Sequence, residues 1–98
     1  MNTETKARVI AQVQKLRMEY SKLAIECKDS KAALKVAQDT VHKDPESRTL
    51  REKLGVVFSR HHRNMRRMRE AWQKSQSLMR EYGLTELDVI TDTRRVSW

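Results

Sequence analysis

Five arginines crowd into a ten-residue stretch of this chain: Arg60, Arg63, Arg66, Arg67 and Arg69, with Glu70 the only acid between Ser59 and Lys74. A guanidinium is a planar fork that meets carboxylate or phosphate through paired hydrogen bonds and gives up its hydration more readily than an ammonium. The chemistry this cluster can do is therefore recognition of an anion, not bond-making. His61 and His62 are adjacent, so on a helix they point to different faces, and no second ligand pair stands at a metal-binding spacing. No Gly-rich phosphate loop, nucleophile with a paired base, or carboxylate pair is present, so neither an enzyme nor a metal or cofactor is expected. Pro45 is the only proline; it reads first as a helix-starting residue, and secondarily the Asp44–Pro45 bond is a candidate contact for a prolyl isomerase.

The arginines lie within a long helical pattern. Leu50, Leu54, Val57, His61, Asn64, Met68, Ala71, Ser75, Leu78 and Tyr82 recur in steps of four and three, which draws one seam along an α-helix. A second track of Phe58, Met65, Trp72 and Met79 sits one position beyond it, so the apolar stripe is wider than one partner helix covers. Upstream, Val9, Val13, Leu16, Tyr20, Leu23, Cys27, Ser30, Leu34, Ala37 and Val41 repeat the same steps behind Thr3 or Thr5 as a cap.

Between the two patterns, residues 42–47 carry the turn, with Pro45 placed to open the second helix and Asp44 to cap it. If the chain folds back there, Val41 meets Leu50, and the same register brings Ser30 to His61, Cys27 to Asn64, Leu23 to Met68 and Tyr20 to Ala71. Large residues then oppose small ones, and one polar layer falls in the middle, which costs stability and fixes register. The expected fold is all-α: one domain over 1–98, built as a long antiparallel, coiled-coil-like two-helix hairpin. Helix 1 runs from about 4 to 43 and helix 2 from about 46 to 82. Gly83 suits a left-handed cap with Leu84 folding back on Met79 or Leu78, and Thr85 to Asp88 has capping-box spacing for a short helical turn. An extended tail ends the chain, and its Trp98 is expected to pack on Phe58 or Trp72 or to meet a partner.

Composition agrees with helices and adds a charge. Glycine occurs twice and proline once, aromatics make up 5%, and the net charge is +8 with a pI near 10.1. Such a chain attracts nucleic acid, an anionic membrane or an acidic protein surface. Binding to a membrane surface is not expected, because basic and apolar residues are interleaved without an insertable face. A single cysteine and a start without the apolar core of a signal peptide lead to the expectation of a cytoplasmic protein.

A basic, mostly helical chain of this size ending in Arg94, Arg95, Val96, Ser97, Trp98 resembles the accessory host-takeover proteins of temperate phages, in particular the small anti-RecBCD proteins of lambdoid phages. The resemblance covers the full length as a general match. It implies a protein of the bacterial host cytoplasm that docks on the RecBCD helicase-nuclease, chiefly on RecC, and alters its nuclease activity and Chi response in favour of phage recombination. Charge and exposure nominate Phe58, Arg60, Arg63, Met65, Arg66, Arg67, Arg69, Trp72, Arg94, Arg95 and Trp98 as the partner-binding residues. The alternative is a basic helical hairpin that binds DNA or RNA directly.

Overall fold

The computed structural model describes residues 2–90. Two long helices pack against each other, α1 over Thr3–Lys43 and α2 over Arg48–Glu81, and a short third helix, α3, spans 86–90; there is no strand among the described residues. The all-α hairpin read from the sequence is the fold observed. The seam is equally clear: every seam position of the two helices is buried or half-buried except Tyr82, just past the end of α2. No helix of the described residues is long and apolar enough to cross a membrane.

The helix ends depart from expectation in instructive ways. Neither Thr3 nor Thr5 caps α1. Asn2 does, its Oδ1 accepting the Thr5 N–H at 2.7 Å and its carbonyl the Lys6 N–H at 3.0 Å; a short amide placed just before the first turn reaches those free donors directly. At the turn, Asp44 does not cap α2: its N–H closes the last turn of α1, 3.1 Å from the Val41 carbonyl, and its carbonyl accepts the Ser47 N–H at 3.2 Å, so the chain is still turning as it leaves this residue. Ser47 takes the role instead: its Oγ accepts the Leu50 N–H at 3.3 Å and its carbonyl the Arg51 N–H at 3.2 Å, so α2 starts at Arg48 and Pro45 stays in the exposed turn.

At the other end the cap follows the expected chemistry. Gly83 has φ 63°, the Leu84 N–H donates to the Met79 carbonyl at 2.8 Å and the Gly83 N–H to the Arg80 carbonyl at 3.4 Å, the paired bonds of a Schellman ending. Leu84 then folds back beside Met79. Thr85 and Asp88 form a reciprocal box: Asp88 N–H to Thr85 Oγ1 at 3.3 Å, Thr85 N–H to Asp88 Oδ2 at 2.9 Å.

The molecule divides into two compact units, residues 1–21 with 69–98 and residues 22–68. In the first, Val9, Ile10, Val13, Met79, Leu84 and Val89 form one buried cluster, with Leu78 against it. Here α3 and the Gly83 turn supply the extra cover that a two-helix contact lacks. In the second, Leu23, Cys27, Ser30 and Asn64 are the buried residues, a thinner and more polar interior.

Candidate binding surface

Each of Arg60, Arg63, Arg66, Arg67 and Arg69 is exposed, and none makes an ion pair among the described residues. The seam positions consume the inward face of α2, and the one nearby acid, Glu70, stands four residues after Arg66 and three after Arg67, a spacing that allows pairing, yet it forms no ion pair with either. Arg60 and Arg63 border a shallow depression with Glu52, Gly55, Val56 and Ser59. Asp44 and Pro45 lie exposed in the turn. Arg94, Arg95 and Trp98 lie outside the described residues, as does the packing expected of Trp98.

The second apolar track splits. Met79 is buried under Leu84 and Val89, whereas Phe58 is 55%, Met65 38% and Trp72 42% exposed. Trp72 is nonetheless engaged by its own chain, its ring 5.2 Å from that of Tyr20 and 5.8 Å beneath the Arg17 guanidinium. Phe58 meets a ring along its own helix, that of His62, stacked at 6.2 Å and 9°. Of the three, Phe58 is the most open.

Arg17 was not foreseen. It looked like one cation among the mixed charges of α1, yet its guanidinium reaches Glu86 at 2.5 Å and Met79 Sδ at 3.3 Å, while its Nε is buried without a hydrogen-bond partner. The available signal was positional: Arg17 directly follows the seam residue Leu16, as Ile10 and Gln14 follow Val9 and Val13. This track carries the return segment, with Gln14 Nε2 donating to the Val89 carbonyl at 3.1 Å.

The polar layer exists in residues 22–68. Ser30 Oγ lies 2.7 Å from His61 Nδ1 and donates to the Cys27 carbonyl at 3.1 Å. A hydroxyl has one proton, so Ser30 serves these two contacts with a single O–H, and the direction of the short bond follows the His61 tautomer. Burial, reinforced by the neighbouring Glu26 charge, pushes the Cys27 thiol above its ordinary pKa of 9.0, which makes it a poorer nucleophile and ligand than a free thiol. No group of three or more His, Cys, Asp or Glu side chains is arranged to hold a metal ion among the described residues.

The fold and this surface define a basic helical hairpin with an open cationic flank. Comparison with protein-family models, with curated proteins and with solved structures finds no match.

Proposed function

We propose that the protein works by docking, using the exposed flank of α2 to grip an anionic macromolecule. The observation that carries this is the set of five exposed arginines on α2 that form no ion pair among the described residues, on the helix that also leaves Phe58 and Met65 open. An apolar anchor inside a charged rim is the usual anatomy of a protein contact. The partner suggested by the whole-chain resemblance is the RecC subunit of the host RecBCD complex, with altered nuclease and Chi response as the outcome; this support is one of size, charge and helical content. Purified chain and purified RecBCD, mixed at moderate salt and separated by size, test it. Co-elution that is lost on Arg63→Glu with Arg67→Glu is the expected result, and separate elution with unchanged nuclease and Chi response refutes it.

Direct binding of DNA or RNA is the second reading, and the charge distribution favours it. Residues 22–68 carry twelve Lys and Arg against six Asp and Glu, while the rest of the chain carries nine against seven. This reading requires an affinity that falls steeply with salt as counterions are released.

A further inference from the structure

We propose that one side of residues 22–68 is a binding site for single-stranded nucleic acid, with phosphates on Lys28, Lys31 and Lys35 and a base stacked on Phe58. This deepens the direct nucleic-acid reading and does not depend on RecBCD. In an antiparallel helix pair, the position that follows a seam residue falls on the same side of both helices. Lys28, Lys31 and Lys35 follow Cys27, Ser30 and Leu34; Phe58, His62 and Met65 follow Val57, His61 and Asn64. These six therefore share a side.

That side is uniform in sign. From 28 to 42 on α1 and from 51 to 65 on α2, no position that follows the seam is acidic, and Arg51 adds a further cation. On the opposite side, Glu26 and Asp29 offset some of the charge of Arg60 and Arg63. A surface groove runs beside the lysines, lined also by Leu34, Gln38 and His61 and by one acid, Asp39. Lys28 to Lys35 covers roughly 10 Å of helix at about 1.5 Å per residue, a row rather than a point. None of the three lysines makes an ion pair among the described residues.

The aromatic pair chooses between single and double strands. A duplex keeps its base faces stacked inside and offers outward only phosphates and base edges, so an exposed ring finds no flat partner on it. A single strand presents free base faces, which stack on aromatic side chains whatever the sequence. Phe58, 55% exposed and held parallel to the His62 ring, offers such a face beside a phosphate-binding row.

The test uses the whole chain, a labelled oligothymidylate of about twenty nucleotides, and a duplex of equal length, titrated by fluorescence anisotropy at several salt concentrations. The single strand is expected to bind at least tenfold tighter. Phe58→Ala should weaken it roughly ten- to a hundredfold with the salt slope unchanged. Replacing Lys28, Lys31 and Lys35 with Gln should lower the log–log salt slope by about 2, at about 0.7 per contact. All four side chains are exposed, so helix content by circular dichroism should not change. Duplex binding at equal affinity overturns the single-strand site and leaves direct nucleic-acid binding standing; no salt-dependent affinity for either probe overturns both. Loss of binding on Arg60→Gln with Arg63→Gln, but not on the lysine changes, places any site on the other side and overturns this one.

Discussion

The two units are made from the same two helices and spend their residues differently. Residues 1–21 with 69–98 bury an aliphatic cluster and tie cations down internally: Arg17 to Glu86 at 2.5 Å, Lys6 to Asp88 at 3.4 Å, Arg8 to Glu4 at 3.8 Å. Residues 22–68 bury a polar layer and hold one ion pair among the described residues, Arg48 to Glu52 at 3.2 Å. Among the described residues, three of the four ion pairs lie in the first unit and one in the second, although the second carries more cations. Apolar burial is thus concentrated in the first unit and unpaired surface charge in the second, so the displaying unit should tolerate surface changes better than the anchoring unit tolerates changes in its core.

The largest expected effect breaks the anchoring unit. Val13 is fully buried at the centre of its cluster, and Val13→Asp places a charge there with no partner, at a cost of at least about 3 kcal/mol. Urea denaturation should show most or all of the folded baseline gone, whereas Val36→Asp, at a position 65% exposed, should move the midpoint very little. Equal effects from the two would mean that the first unit has no core worth the name. The two glycines make a finer contrast. Gly83 sits at φ 63° with nothing near the place a Cβ would occupy, so Gly83→Ala carries the left-handed backbone penalty alone, about 1–2 kcal/mol of destabilisation. Gly55 lies inside α2, also with open space around it and without a positive φ. There Gly55→Ala should stabilise by about 0.5–1 kcal/mol. Opposite shifts in melting temperature are the expected pair of results.

The split between the units was only partly legible in the sequence. Steps of four and three exposed both helices, their register and the polar layer, because periodicity reports which side of a helix is covered. The Gly83 turn and the box at Thr85 and Asp88 were legible too, being local chemistry with fixed spacing. The cap at Ser47 was not, since Asp44 and Ser47 are equally good capping residues and only the reach of the last turn of α1 decides between them. Arg17 was hidden for a different reason: its partners Glu86 and Met79 are more than sixty residues away, and no local pattern announces a distant ion pair. Trp72 illustrates the limit for the candidate surface. Spacing made it equivalent to Phe58, but Tyr20 and Arg17 hold its ring, so removing it would disturb the fold together with any contact.

The polar layer of the displaying unit can be probed through its shortest bond. Ser30→Ala deletes the hydroxyl that bonds both His61 Nδ1 and the Cys27 carbonyl, and the expected loss is about 1 kcal/mol. The sharper readout is the exchange rate of the amides around Cys27 and His61, which should rise while those near Val13 keep their protection. Protection lost uniformly along the chain would show that the layer supports both units.

The smallest expected effect is also the one that divides the units by pH. In the anchoring unit, the Glu86 carboxyl is held below its ordinary 4.5, first by the hydrogen bond from Arg17, and Asp88 below its ordinary 3.8, first by the Thr85 backbone N–H. A carboxyl whose pKa is lower folded than unfolded contributes stability that is complete above the unfolded value and is lost as pH falls through the folded one; α3 should therefore loosen below about pH 4. Cys27 in the displaying unit has the opposite sign of shift, its thiol raised above 9.0 by burial. The unfolded chain loses that proton first, so stability falls as pH climbs past 9.0. Hydrogen exchange should then show amides 85–89 weakening at the acid end and amides near Cys27 at the alkaline end, and Cys27→Ala should remove the alkaline loss attributable to the thiol while leaving the acid one. If acid and alkali instead released both segments together, the two units would be one cooperative body, and the division of labour drawn between them would have no energetic basis.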